Sequence, residues 1–184
     1  MKIHFVTSNK GKAFEVAALL APLGHEVVQM HKPYPEPQVD TLQEVVTSGL
    51  EWLTGQVEGT VMVDDSGLFV DALKGFPGVY SAYAYKTLGC RGILRLMEGA
   101  EERRARFECC AGLMIEGKCW LFTGESEGEI TSELRGKGGF GFDPIFLPSG
   151  MSQTFAELPV EVKNRVSHRG RAFSALAQFL RSRR

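Results

Sequence analysis

Two adjacent aspartates, Asp64 and Asp65, follow an apolar run in the stretch VMVDDSGLFVDAL, residues 61–73. Carboxylates repel each other and are costly to remove from water, so a functional reason is expected for this pair at the end of a buried strand. Ligands of open α/β sheets lie beyond the carboxyl ends of the strands. Because successive strand residues point to opposite faces, one carboxylate can face a cleft while the other supports the scaffold. A carboxylate that faces phosphates could hold Mg²⁺, which favours oxygen ligands.

A second candidate metal ligand is Glu36, in the proline-rich segment HKPYPEPQVD at residues 31–40. The prolines restrict the backbone around this carboxylate, which suits a ligand position. An ordinary exposed glutamate accounts for the same pattern equally well, because most glutamates lie at the surface.

The stretch TSNKGK, residues 7–12, follows the first predicted strand and opens the first predicted helix. Helix N-termini expose unpaired backbone N–H groups and the positive end of the helix dipole, and therefore bind anions. The spacing is not that of a P-loop. The segment predicts either a phosphate site or a capped helix with surface lysines, and its candidate binding residues are Thr7, Ser8, Asn9, Lys10, Gly11 and Lys12.

A glycine-rich segment, GKGGFGFDPIF, covers residues 136–146. Its glycines, Gly141 among them, give a backbone that can wrap a flat ring, and Phe140 and Phe142 offer aromatic faces for stacking. Asp143 can accept a hydrogen bond or fix the loop. The segment predicts a pocket for a base, and the plainer alternative is a glycine-rich turn.

Basic residues gather in EVKNRVSHRG, residues 161–170, where Lys163 precedes His168 and Arg169. Ser167 is placed to cap the helix that begins here, so the last two side chains lie at an end that favours anions. No Ser–His–Asp arrangement can be asserted from this spacing. Together the segments predict a nucleotide site, and the residues alone leave hydrolase, transferase and binding module open.

The elements that must position these residues follow the hydrophobic pattern. An apolar strand, Ile3–Val6, leads into a helix that Gly24 is placed to end, and a second strand, HEVVQM, follows at residues 25–30. The order strand, helix, strand predicts an α/β architecture with an at least partly parallel sheet.

The remainder of the chain extends this pattern. A helix capped by Asp40 or Thr41, with Glu44 placed for a capping box, precedes a third buried strand, GTVMVDD, that ends at the aspartates. The segment ALKGFPGVYSAY predicts a loop, and a further helix is expected from about Thr87 to Met97. Beyond residue 100, two strands are expected to meet at an EGK hairpin tip, and an amphipathic helix closes the chain.

Length and composition restrict the class of protein. The chain of 184 residues is expected to form a single domain, 1–184, of two lobes that share one core. Its net charge of −1 does not suggest a nucleic-acid binder, and no apolar run approaches the roughly 20 residues that span a bilayer. The chain begins directly with a strand, which leaves no room for a signal peptide. Four cysteines without a C-x-x-C pair indicate free thiols in the cytoplasm: Cys90, Cys109, Cys110 and Cys119.

Five segments, in this order, resemble the signatures of the inosine triphosphate pyrophosphatase (Ham1-like) family: TSNKGK, DDSGL, GFPGVYSAY, GGFGFDPIF and EVKNRVSHRGRA. The resemblance extends from residue 2 to about residue 180, and five ordered motifs are far more specific than one glycine loop. The segments YPEPQVDTLQEVV and YSAYAY are most similar to the archaeal branch.

The resemblance implies an elongated, two-lobed α/β fold, with a central mixed sheet flanked by helices and a deep nucleotide-binding cleft. It implies a cytoplasmic homodimer that uses Mg²⁺ to hydrolyse ITP, dITP and XTP to the monophosphate and pyrophosphate. Such enzymes remove deaminated, noncanonical purines from the nucleotide pool.

Residue by residue, the resemblance implies that Asp65 is the catalytic acceptor and a metal ligand, with Glu36 as the second metal ligand. Residues 7–12 would hold the triphosphate, and Ser66 would contact the substrate. The base would be enclosed by Phe140, Gly141, Phe142 and Asp143, and its oxo edge read by Lys163, His168 and Arg169. Hypoxanthine and xanthine present an acceptor where adenine has an amino donor, so ATP would leave buried donors unpaired.

Two positions depart from the family pattern. Many bacterial members carry an arginine where this chain has Tyr83, and a lysine where it has Gly49. If those cations neutralise phosphate in the relatives, another cation must substitute here; the candidates are Lys10, Lys12, Lys86 and Arg91.

Two alternative functions remain at this point. A Maf-like pyrophosphatase for other modified nucleotides would share the reaction type and differ in substrate. A non-catalytic nucleotide- or RNA-binding module would bind ITP without releasing product, although the chain lacks a basic, aromatic-laced surface.

Overall fold

The computed structural model describes residues 1–183, which form a mixed α/β fold with an open central sheet flanked by helices. The strands are β1 (Lys2–Val6), β2 (Glu26–Met30), β3 (Thr60–Val70), β4 (Pro77–Gly78), β5 (Arg104–Ile115), β6 (Lys118–Ile130) and β7 (Phe146–Pro148). The helices are α1 (Lys10–Leu20), α2 (Leu42–Leu53), α3 (Ser81–Thr87), α4 (Gly89–Leu96), α5 (Val160–Val166) and α6 (His168–Ser182). No helix among residues 1–183 is long and apolar enough to cross a membrane.

The sheet has the strand order β2-β1-β3-β5-β6-β7, with β4 paired to β3. Strand β1 lies parallel to both β2 and β3, and the pairs from β3 onward are antiparallel. The predicted α/β architecture with a partly parallel sheet is therefore confirmed. The expected hairpin is confirmed as well: Glu116 and Gly117 join β5 to β6 with φ angles of 51° and 74°, as a tight two-residue turn requires.

The prediction that the third strand ends at the two aspartates is wrong. Strand β3 continues to Val70, because β5 pairs with it over its whole buried length, from Val61 to Val70. On the other side of β3, pairing with β1 stops at Met62, and pairing with β4 begins at Leu68. Between these two partners β3 has an open edge, and the aspartates lie there.

The two faces of β3 pack against different helices. Met62 packs with the apolar stripe of α6, including Phe173 and Leu176, in one core cluster. Val61 and Val63 point the other way and pack with residues of α2 in a second cluster. Alternation along the strand therefore directs the side chains of Asp64 and Asp65 to opposite faces.

The helix caps follow the sequence. The Thr41 side chain accepts a hydrogen bond from the backbone N–H of Glu44 and completes the predicted capping box at α2. Ser167 caps α6 as expected. The helix predicted near Thr87–Met97 is α4, but α3 occupies part of the segment that was predicted to be a loop, and α5 was not predicted.

Candidate functional site

Two adjoining cavities open at the free edge of β3. The aromatic cavity, of about 480 Å³, is lined by Tyr85, Phe107, Phe140, Phe142 and His168 among others. The polar cavity, of about 430 Å³, is lined by Thr7, Ser8, His31, Lys32, Tyr34 and Glu36 among others. Asn9, Lys12 and Asp65 line both cavities and therefore lie where the two meet. An aromatic compartment beside a polar one suits a ligand with a flat ring and a charged tail.

The start of α1 forms one wall of the polar cavity. Asn9 caps the helix by accepting a hydrogen bond from the backbone N–H of Lys12 at 3.1 Å, and the Thr7 hydroxyl accepts one from the backbone N–H of Asn9 at 3.1 Å. Of the six residues predicted here, four line the cavity: Thr7, Ser8, Asn9 and Lys12. Lys10 is exposed and lines neither cavity, and Gly11 lies under the ring of Phe140.

Asp64 is buried in salt bridges. Its carboxylate lies 3.0 Å from the Lys12 ammonium and 3.1 Å from Nε of Arg169, and Lys12 also donates a hydrogen bond to the Asp64 carbonyl. Burial alone would raise the pKa of this carboxyl group, but the two cations outweigh burial and hold the pKa below its ordinary value. Asp64 is therefore ionised, and its role is structural, as the partner of Lys12 and Arg169.

Asp65 faces both cavities and is only partly buried. Burial, with the negative charges of Asp64 and Glu36, raises its pKa to about 6, although Lys12 acts in the opposite direction. A carboxylate with a pKa this close to neutrality can accept a proton and return it readily. Asp65 is thus the carboxylate whose electrostatics suit acid–base chemistry.

The basic residues near the start of α6 are held in a buried ionic network. Glu15 of α1 accepts hydrogen bonds from Lys163 at 2.6 Å and from Nη1 of Arg169 at 2.8 Å. Lys163 also lies 2.6 Å from Asp143, and Nη2 of Arg169 donates to the Ser66 hydroxyl at 2.9 Å. Most of the donor capacity that was expected to read a base is therefore engaged by carboxylates in this structure.

Phe140 covers that network on the side of the aromatic cavity. Its ring centroid lies 4.6 Å from the Lys163 ammonium and 5.3 Å from the Arg169 guanidinium carbon, distances typical of cation–π contacts. Its backbone N–H donates to Asp143 at 2.8 Å. A Cβ atom at Gly11 would collide with the Phe140 ring, so glycine at that position lets the ring lie against α1.

His168 forms part of the wall of the aromatic cavity. Its imidazole stacks on the ring of Phe107, with centroids 4.6 Å apart and planes within 10° of each other. Burial and the positive charges of Arg169, Lys163 and Lys12 lower the pKa of His168 well below its ordinary value. Its Nδ1 is buried without a hydrogen-bond partner among residues 1–183. The neutral imidazole therefore lines the cavity with a buried Nδ1 that no group of the described residues satisfies.

The donor set of the polar cavity fits a magnesium ion. Glu36 and Asp65 both line it, and their mutual repulsion contributes to the raised pKa of Asp65, so a cation between them is favoured. Within residues 1–183 no cluster of three or more His, Cys, Asp or Glu side chains could hold a metal unaided. Mg²⁺ is commonly bound through one or two carboxylates, with waters and substrate phosphates completing the coordination. Glu36 and Asp65, beside the N-terminal end of α1, supply two such carboxylates.

The two departures from the family pattern have different surroundings. Gly49, in α2, packs against the ring of Tyr34, and a Cβ atom at this position would lie 2.8 Å from Cε2 of that ring. A lysine side chain at this position would collide with Tyr34. Tyr83, on α3, is 71% exposed and lines neither cavity.

Glu15 and Tyr34 are site residues that the sequence analysis missed. Glu15 is a single charge inside the apolar run AFEVAALL, and an isolated carboxylate in such a run is the same signal that drew attention to Asp64. Tyr34 has the flanking prolines of its segment as its only signal. Burial, with the charges of Asp64, Glu36 and Asp65, raises the pKa of its phenol above the ordinary value.

Comparison with known proteins gives one consistent family. A dITP/XTP pyrophosphatase of Pyrococcus horikoshii is 52% identical over 181 residues, which cover 98% of this chain and 97% of that protein. The dITP/XTP pyrophosphatase of Thermococcus kodakarensis is 53% identical, with 98% of each chain covered. The structure of the Staphylococcus aureus Ham1 protein superposes over 100% of both chains, with a TM-score of 0.86 and 30% identity.

The sequence model of the Ham1 family matches residues 3–179. That range contains both cavities, the open edge of β3 and the buried ionic network. The chain belongs to the Ham1 family.

Proposed function

We propose that this chain hydrolyses ITP, dITP and XTP to the nucleoside monophosphate and pyrophosphate. The observation that carries the proposal is the position of Asp65, a partly buried carboxylate at the junction of an aromatic and a polar cavity. The activity in the names of the relatives from Pyrococcus and Thermococcus supports the same reaction.

The two cavities divide the substrate between them. The purine ring occupies the aromatic cavity beside Phe140 and His168, and the polyphosphate extends along the start of α1 into the polar cavity. The N-terminal end of α1 and the Lys12 ammonium favour the negative charge of the phosphates. This placement brings the bond between the α- and β-phosphates close to Asp65.

Glu36 and Asp65 are the proposed ligands of Mg²⁺. When bound, the ion neutralises the charge that develops on the phosphate oxygens and on the departing pyrophosphate. The Lys12 ammonium, 3.0 Å from Asp64, adds positive charge that also acts on Asp65.

The proposed step is an attack of water on the α-phosphorus. Asp65 orients the water molecule and accepts one of its protons through a carboxylate oxygen. A bond forms between the water oxygen and the α-phosphorus, and the bond from this phosphorus to the bridging oxygen breaks. Pyrophosphate leaves with the electron pair of that bond, and the nucleoside monophosphate remains.

Base selection uses the donors left in the ionic network. Arg169 lines the aromatic cavity and has two N–H groups that Glu15, Asp64 and Ser66 do not engage, whereas Lys163 lines neither cavity. His168 adds a neutral imidazole. Together these donors favour a 6-oxo purine, because the amino group of adenine would leave them buried and unpaired.

A substrate panel tests the proposal. With Mg²⁺ present, pyrophosphate release is measured for ITP, dITP, XTP, ATP, GTP and modified pyrimidine triphosphates. We expect the three deaminated purines to be preferred over ATP by at least about tenfold. A preference for modified pyrimidines would instead support the Maf-like alternative, and ITP binding without product would support a binding module.

Substitution of Asp65 tests the assigned chemistry. We expect Asp65→Asn to lower the turnover of ITP by at least about a hundredfold, the usual contribution of a positioned acid–base group. Asp71→Asn is the matched control, because Asp71 follows the same strand and lines neither cavity. Turnover of Asp65→Asn within a factor of three of the control would contradict the assignment.

We further propose that residues 1–184 act as one domain of two lobes, in a cytoplasmic homodimer without nucleic-acid or membrane partners. Support for the single domain comes from the continuous sheet, whose strands are drawn from Lys2 to Pro148. Light scattering of the purified chain would measure the expected mass of two copies.

A further inference from the structure

Tyr34 lies on the wall of the polar cavity, and three features give it a defined position. Pro33 and Pro35 restrict its backbone on both sides. Its ring packs on α2 at Gly49, where a Cβ atom would lie 2.8 Å from Cε2 of the ring. The Tyr34 ring therefore has a fixed position, and it occupies space that is free only because residue 49 is glycine.

The Tyr34 hydroxyl is an uncommitted hydrogen-bond donor in that cavity. No side chain or backbone group of the described range, 1–183, forms a hydrogen bond with it. The cationic donors nearby are already engaged: Lys12 contacts Asp64, and Lys32 donates to the carbonyl of Gln56 at 3.2 Å. A partly buried phenol without a protein partner suits an acceptor that arrives with the ligand.

The charge around the hydroxyl shows which ligand groups are suitable. Asp64, Glu36 and Asp65 all act on it electrostatically, and Glu36 and Asp65 line the same cavity as Tyr34. A carboxylate cluster disfavours another anion unless donors and cations compensate. The neutral Tyr34 O–H group is a hydrogen-bond donor of this kind. Because it carries no charge, it does not form a salt bridge with the carboxylates, as a further lysine would.

We propose that the Tyr34 hydroxyl donates a hydrogen bond to a phosphate oxygen of the substrate, and that Gly49 keeps open the space its ring requires. This inference rests on the proposed function, because it places the polyphosphate in the polar cavity. Many bacterial family members carry a lysine at the position of Gly49. In this chain the Tyr34 hydroxyl, with Gly49 beneath its ring, would take the place of that lysine. The contact is to phosphate, so its contribution is the same for every purine base.

The test is the affinity for inorganic pyrophosphate, measured by titration calorimetry at a fixed Mg²⁺ concentration. We expect Tyr34→Phe to weaken pyrophosphate binding by about 10- to 100-fold, the effect of losing one hydrogen bond to a charged acceptor. The KM values for ITP, dITP and XTP should rise by a common factor. Tyr80→Phe is the matched control, because Tyr80 is 44% exposed and lines neither cavity.

Gly49→Ala provides a second, independent variant. The added methyl group displaces the ring without removing the hydroxyl, so we expect it to weaken pyrophosphate binding to a similar extent. Wild-type affinity in a folded Tyr34→Phe protein would overturn the inference and leave the proposed function intact. If the wild-type chain binds pyrophosphate but hydrolyses no triphosphate, the proposed function fails while the Tyr34 contact is still decided by the calorimetry.

Discussion

Asp64 and Asp65 are neighbours in strand β3, yet salt bridges lower the pKa of the first and burial raises the pKa of the second. The difference follows from the alternation of the strand, which turns Asp64 toward Lys12 and Arg169 and Asp65 toward the cavities. The two carboxylates therefore have separable effects on stability and on turnover.

Asp65→Asn should stabilise the fold at neutral pH while it removes activity. The folded pKa of about 6 lies above the unfolded value of 3.8, so stability falls as pH rises from 3.8 to about 6, and the full cost of ionising Asp65 is present above about pH 6. The gain in unfolding free energy is at most about 3 kcal/mol, and solvent screening of this partly exposed group reduces it. Urea unfolding in metal-free buffer would measure the gain.

The pH dependence of that gain identifies its cause. Well below pH 3.8 the carboxyl group of Asp65 is protonated in both the folded and the unfolded state. Its ionisation then contributes nothing, and the unfolding free energies of wild type and Asp65→Asn should differ only by the effect of replacing a neutral carboxyl group with an amide. The difference should grow between pH 4 and 6 and stay constant above. A difference that does not change with pH would contradict the raised pKa.

Asp64→Asn should have the opposite effect on stability. Its carboxylate compensates two buried or half-buried cations, and removal of one partner of a buried pair costs about 3–5 kcal/mol. Chemical denaturation at pH 7.5 would show a lower midpoint than that of wild type, whereas Asp65→Asn should show a higher one. Equal midpoints for the two variants would contradict the separation of roles.

The local elements and the site segments were predictable from the sequence because they depend on nearby residues. Strands β1 and β2, the capping box at Thr41 and the Ser167 cap of α6 follow from apolar spacing and cap chemistry within a few residues. The five ordered motifs located the segments whose residues the structure brings to the two cavities.

The length of β3 and the ionic network were not predictable, because partners distant in sequence determine both. Pairing with β5, about 40 residues later, carries β3 through the aspartates. Glu15 lies 148 positions before Lys163 and 154 positions before Arg169 in the sequence, and only the tertiary fold brings them together. A periodic pattern carries no information on such pairings.

Glu15→Gln tests the ionic network. Glu15 lies between two cations, and an amide must direct its N–H₂ group toward one of them, so we expect destabilisation of about 3–5 kcal/mol. Unfolding of Glu15→Gln, Lys163→Met and the double variant forms a double-mutant cycle. The double variant should lose less than the sum of the single losses, since residues in one network couple. Additive losses would indicate that the two side chains do not interact.

Gly11→Ala separates the positioning of Phe140 from the stability of α1. Alanine is favoured over glycine in a helix by about 1 kcal/mol, so an isolated helix would be stabilised. In this chain the new methyl group collides with the Phe140 ring, which must leave its place over Lys163 and Arg169. We therefore expect a net destabilisation and a rise in the KM for ITP of about tenfold, with unchanged affinity for inorganic pyrophosphate.

The effect of Gly11→Ala should also be measured in a protein that carries Phe140→Leu. Without the aromatic ring the methyl group at position 11 has room, so Gly11→Ala should stabilise the Phe140→Leu protein by a fraction of the helix-propensity gain. Thermal unfolding of the wild type, both single variants and the double variant would measure this change of sign. If Gly11→Ala destabilises both backgrounds equally, the glycine is required by the helix start itself. A sign change would instead establish that Gly11 makes room for the Phe140 ring, so that one missing side chain couples the start of α1 to the wall of the aromatic cavity.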